Sequence, residues 1–208
     1  MVGHFEPVEK VCEHLIKVTM SIIKDITETI GNYLLKQKVK ANPRELHPSK
    51  FNFSEIKTVG VIFDASNAED FELIKRYVVY MREHQKKVKV LGYFSSKKIP
   101  SLTYSKLEYD FFSTKETNWY GKPTTHVIDN FIEEEYDLLI DLNIHDHYTL
   151  KYIASLSKAK FKVGKYTEAN KLIYDMMIEV DETKNLKYFL RQVDTYLAMI
   201  NKKTETLA

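Results

Sequence analysis

The stretch Tyr136 to Tyr166, YDLLIDLNIHDHYTLKYIASLSKAKFKVGKY, decides the fold class. Its run Leu138 to Leu142 (LLIDL) lacks the polar alternation of a strand with one wet face, so it reads as a strand buried on both sides. A polar cluster follows, then an amphipathic helix over Tyr148 to Ser157, then a second short apolar run, Phe161 to Val163. Strand, helix and strand in so short a span imply a right-handed crossover between two parallel neighbours.

The same alternation extends outward in both directions. Thr58 to Phe63 (TVGVIF) and Val88 to Phe94 (VKVLGYF) read as strands, with Met176 to Val180 as a further one and Tyr109 to Phe112 as a weaker one. Helical periodicity fills Ala68 to Gln85, Thr125 to Glu134 and Lys184 to Ile200. Strands separated by helices of this length predict an α/β protein, a Rossmann-like three-layer sandwich with a mostly parallel sheet.

A different pattern occupies the first forty residues. Val8, Val11, Leu15, Val18, Ile22, Ile26, Ile30, Tyr33 and Leu34 recur every three or four positions and define one stripe of a long amphipathic N-terminal helix, or of two helices broken at Gly31. Pro7 suits a first helical position, and Pro43 with Pro48 closes the segment, so Ala41 to Ser54 reads as a linker. The chain therefore divides into a helical segment and linker over residues 1–54 and an α/β domain over residues 55–208. The stripe either packs on its own domain or docks on a protein partner or a second copy, with Leu15, Ile22, Ile26 and Ile30 as the docking residues. The basic end, Lys36, Lys38 and Lys40, complements the helix dipole.

Composition narrows the function classes. The chain's 31 basic and 29 acidic residues nearly cancel, so it lacks the overall field that gathers nucleic acid, and no nucleic-acid partner is expected. Cys12 is the single cysteine, which excludes an internal disulfide. No apolar run approaches the roughly 20 residues of a membrane span, and no secretory leader is evident, so a soluble, cytoplasmic protein is expected.

In a parallel sheet, ligands gather beyond the carboxyl ends of the strands. After the first strand comes Asp64-Ala65-Ser66-Asn67-Ala68-Glu69-Asp70, which lacks the glycines that let a backbone close around phosphate. Ser66 to Glu69 instead matches a helix capping box, leaving Asp64 and Asp70 as candidate ligand-binding carboxylates. After the middle strand, Asp141, Asn143, His145, Asp146 and His147 crowd into seven residues, the richest site candidate in the chain. The plainer role for Asn143 or Asp146 is an N-cap with the histidines facing solvent. His145 and His147 do not complete a recognised metal spacing, so no metal and no cofactor are expected. The loop Lys115 to Thr125 (KETNWYGKPTT) holds the only tryptophan, Trp119, a ligand-binding candidate as a lid or a platform for a base or sugar, a protein contact, or more plainly a plug over the sheet edge. There is no Gly-x-Ser-x-Gly elbow and no Walker A sequence.

The stretch Tyr136 to Tyr166, with Ile153-Ala154-Ser155-Leu156-Ser157-Lys158-Ala159 and Phe161-Lys162-Val163-Gly164, resembles the amino-terminal domain of heptosyltransferase-like GT-B glycosyltransferases. The resemblance implies a Rossmann-like half-fold with an acceptor cleft beside this strand and helix. The family's glycine after the first strand is missing from Asp64-Ala65-Ser66-Asn67, and eight residues follow Ile200 where that family has a nucleotide-sugar domain. The whole chain also resembles an uncharacterised family of bacterial single-domain proteins that carry this half-fold alone. No catalytic residue is carried over. Two functions follow as expectations: a non-catalytic interaction or scaffold module docking through the N-terminal helix, or a small nucleotide- or sugar-binding protein or enzyme using the strand-end cluster.

Overall fold

A computed structural model describes residues 8–41, 51–100, 109–181 and 183–200. Its elements are α1 (Val8–Ala41), β1 (Thr58–Asp64), α2 (Ala68–Glu83), β2 (Lys87–Phe94), β3 (Tyr109–Ser113), α3 (His126–Glu133), β4 (Leu138–Asp141), α4 (Tyr148–Leu156), β5 (Phe161–Lys165), β6 (Met176–Ile178) and α5 (Leu186–Ile200). The sheet order is β3-β2-β1-β4-β5-β6, and every strand pair is parallel. Strand order therefore reverses between β1 and β4, which opens a crevice at their carboxyl ends.

Both faces of the central strands are apolar because helices cover both. On β1, Val59, Val61 and Phe63 enter the core beneath α2 and α5, whereas Ile62 enters the core beneath α3 and α4. On β4, Leu138 and Ile140 take the first side and Leu139 the second. This two-sided burial is why these strands read as continuous apolar runs. At the opposite end of the sheet, Asp137 accepts from the Lys57 amide at 2.8 Å, the Thr58 amide at 3.1 Å and Lys160 Nζ at 2.8 Å, clamping the starts of β1 and β4.

Helix starts differ from the expected caps. Asn67, not Ser66, caps α2: its Oδ1 accepts from the Glu69 and Asp70 amides at 2.9 and 3.2 Å. Ser66 is drawn away to Ser95, with the two hydroxyls 2.9 Å apart. The capping box that Ser66 to Glu69 suggested occurs instead at Ser113 and Glu116. Neither Asn143 nor Asp146 caps α4, whose N-cap is His147 without a side-chain hydrogen bond. Lys162, fully buried, donates to the carbonyls of Ala154 and Ser155 at 2.8 and 3.3 Å and so closes the other end of α4.

The helix α1 runs unbroken through Gly31. Gly31 is where it crosses α4 and the Trp119 loop: a Cβ there would lie 2.9 Å from the Tyr148 ring and 3.1 Å from the Tyr120 carbonyl oxygen. Only a residue without a side chain permits that approach. Pro7, Pro43 and Pro48 lie outside the described residues.

Candidate functional site

Two features stand out, one on α1 and one at the strand ends. The domain holds α1 through the buried Gly31 and Leu35, the half-buried Val39, and a hydrogen bond from Lys38 Nζ to the Tyr152 hydroxyl at 3.2 Å. The stripe noticed in the sequence is not this seam. Leu15, Ile22 and Ile26 are 59, 53 and 54% exposed, Ile30 is 37% exposed, and Ile16, Val18, Ile23, Tyr33 and Leu34 are exposed with them. At 3.6 residues per turn the centre of this set lies roughly 160° around the helix from the seam. The described part of the apolar stripe thus points away from the domain, and its packing on the domain is corrected by this placement; the side chains of Val8 and Val11 lie outside the described residues.

The strand-end cluster is assembled from three consecutive segments. Asp141, the last residue of β4, is buried and accepts from the Tyr174 hydroxyl, the Asn143 side-chain amide and, at 3.1 Å, the Asn143 backbone amide. Gly164 makes the Tyr174 contact possible, since a Cβ there would meet the Tyr174 ring at 2.7 Å. Burial pushes the Asp141 carboxyl up to about 6, against the opposing pull of Tyr174, Asn143 and Lys151. Asn143 Oδ1 accepts from the Asp64 amide at 2.8 Å, so this side chain ties the end of β4 to the end of β1 across the point of strand reversal.

The remaining groups line two adjoining cavities. The inner one, about 50 Å³, is walled by Asp141, Lys151, Lys165, Thr167, Asn170 and Tyr174, together with Asn143, His145, Asp146 and His147. Lys151 is buried and pairs with Asp146 at 2.5 Å, and Lys165 Nζ donates to the Ile144 carbonyl at 2.7 Å. The outer one, about 110 Å³, shares Asn143, His145 and His147 and adds Asp64, Asn67 and Asp70 over an apolar floor of Ile74, Leu142, Ile144 and Leu186. Burial raises the Asp70 carboxyl, helped by Glu69 and Asp64 and opposed by His145.

The sequence candidates therefore fare unequally. Asp64, Asp70, Asp141, Asn143, His145 and His147 do converge on one cleft. His145 is exposed at its mouth, and His147 stands edge-on to the Tyr93 ring, with centroids 4.6 Å apart. Trp119 does not join them, nor does it plug the sheet edge; it is 69% exposed, and the neighbouring Tyr120 is the ring that packs inward toward Tyr148. Lys151, Lys165, Thr167, Asn170 and Tyr174 were not singled out from the sequence. The polar run Lys165-Tyr166-Thr167-Glu168-Ala169-Asn170 directly after β5 was the available signal, because it ends the strand next to β4.

Chemically the cleft is rich in acceptors and moderate in charge. Both oxygens of Asp141 are engaged internally, which suits anchoring more than proton transfer. Among the described residues, no group of three or more His, Cys, Asp or Glu is placed to hold a metal ion. No described helix is long and apolar enough to cross a membrane.

A parallel six-stranded sheet with helices on both faces and a polar cleft at the strand reversal defines a Rossmann-like α/β protein. The chain belongs to the family of unknown function DUF6913, whose sequence profile matches residues 2–200. No curated protein matches it.

Proposed function

We propose that this protein is an interaction module that self-associates through α1, the apolar stripe of one copy lying antiparallel on that of another. The observation that carries the reading is the position of the stripe, opposite the seam that holds α1 to its own domain. Its nine large apolar residues, each about half exposed, present roughly 900 Å², above the usual largest patch of a monomer and close to one partner's share of a standard interface.

Charge bears on the orientation of the pair. The N-terminal third of α1 carries Glu9 and Glu13 beside Lys10 and Lys17 and is near-neutral, whereas its last turns carry Lys36, Lys38 and Lys40 with no acidic residue. Antiparallel pairing sets each basic end beside a near-neutral one and keeps the two basic ends apart. A helix of 34 residues is about 50 Å long, and the described residues of α1 that the domain buries, Gly31 and Leu35, lie toward its C-terminal end, so two domains fit at opposite ends of the pair. The mixed charges of α1 suit an anionic lipid surface less well than a basic polar face would.

Sedimentation analysis at micromolar concentration tests the reading. The expected result is a dimer that becomes a monomer in the doubly substituted Ile22→Glu, Ile26→Glu chain, with unchanged helix content. A wild-type monomer at tens of micromolar, whether or not it binds lipid vesicles, would overturn it.

A further inference from the structure

From the inner strand-end cavity, and independently of self-association, we infer a binding site for a small neutral molecule bearing several hydroxyl groups. Its clearest mark is Asn170, only 6% exposed, which lines the cavity. The Asn170 side-chain amide is fixed by donation from Nδ2 to the Lys165 carbonyl at 2.9 Å, which leaves Oδ1 as a buried acceptor with no protein partner. Thr167 Oγ1, on the same wall, is likewise buried without a partner. Two such atoms lining one cavity are costly unless something donates to them.

The other walls select the donor's chemistry. An anion entering here meets the carboxylates of Asp141 and Asp146, with Asp64 and Asp70 in the adjoining cavity, while Lys151 already pairs with Asp146 and Lys165 with a backbone carbonyl. A cation meets those same two ammonium groups. A hydroxyl fits both needs: it donates to Asn170 Oδ1 or Thr167 Oγ1 and accepts from the remaining protons of Lys165. About 50 Å³ admits one hydroxyl-bearing carbon or a water or two, and the roughly 110 Å³ next to it, with its apolar floor and its Asp64 and Asp70 carboxylates, takes the rest of a polyol. The missing glycines after β1 agree with a ligand that carries no phosphate.

The test uses isotope-labelled full chain, with the Asn170 side-chain amide as the NMR reporter, titrated separately with glycerol, myo-inositol, inorganic phosphate and glycine. A saturable shift at Asn170 with a neutral polyol, and none with phosphate or glycine, is expected. Thr167→Val keeps the shape and removes no protein hydrogen bond, so it should fold as wild type, melt no lower, and bind the polyol about tenfold more weakly. No saturable shift with either polyol would mean that the cavity holds ordered water only and would overturn the inference. Preferential binding of phosphate or glycine at Asn170, or a Thr167→Val chain that binds polyol unchanged, would overturn it equally.

Discussion

Asp141 shows how one residue sets a cost that other residues moderate. Its carboxyl sits at about 6 in the folded protein because burial outweighs the hydrogen bonds from Tyr174 and Asn143, against 3.8 for an unperturbed aspartate. As pH rises from about 4, the unfolded chain releases this proton first, the folded state then holds more protons, and stability falls until pH passes about 6. A displacement of this size amounts to about 2–3 kcal/mol, present as a penalty at neutral pH. Asp141→Asn keeps an acceptor for Asn143 and can donate to the Tyr174 oxygen, so it should remove that slope. Urea midpoints measured from pH 4 to 7 are expected to fall more steeply for wild type than for the variant. Parallel profiles would show that Asp141 is not the group responsible.

At the scale of elements, α1 is governed by two unrelated faces. Gly31 costs helix propensity, and replacing it with alanine in a free helix would stabilise by about 1 kcal/mol. Here the added methyl group strikes the Tyr148 ring and the Tyr120 carbonyl, the latter being backbone that cannot swing aside. Gly31→Ala is therefore expected to destabilise by about 1–2 kcal/mol, seen as a lower melting temperature. A higher one would mean that α1 does not rest on α4 as described. Sequence periodicity found this helix correctly but could not assign its faces. Nine large apolar residues outweigh Gly31, Leu35 and Val39 in any count, yet those three form the seam that the domain shelters. Caps were misread for a similar reason. Ser66 and Asn67 both have side chains suited to an N-cap, and only the approach of Ser95 from the end of β2 decides between them.

For the whole molecule, the sheet and the outer part of α1 should differ sharply in how they open. Val61, Ile62 and Ile140 lie on central strands with no exposure, whereas every described side chain from Leu15 to Ile26 is exposed. Amide hydrogen exchange in the Ile22→Glu, Ile26→Glu chain is expected to be orders of magnitude faster over that stretch than on β1 and β4. In wild type the same amides should slow as protein concentration rises. If exchange over that stretch is as slow in the variant as on β1 and β4, the helix is held by its own domain after all.

The amino-acid sequence by itself determined the elements and their class. Runs buried on both faces, separated by helical periods, leave few arrangements other than a covered parallel sheet, because backbone pairing and apolar burial are local demands repeated along the chain. It also placed Asp64, Asp70, Asp141, Asn143, His145 and His147 at strand ends, where the architecture collects polar groups. Only the tertiary structure decided what those ends meet. Asn170 and Thr167 come to Asp141 from the segment after β5, and Asn143 reaches the Asp64 amide on β1. Which face of α1 is sheltered rests likewise on the close approach of Gly31 to Tyr148. These contacts join residues far apart in the chain, and spacing along a sequence carries no information about distances that arise only when the chain packs against itself.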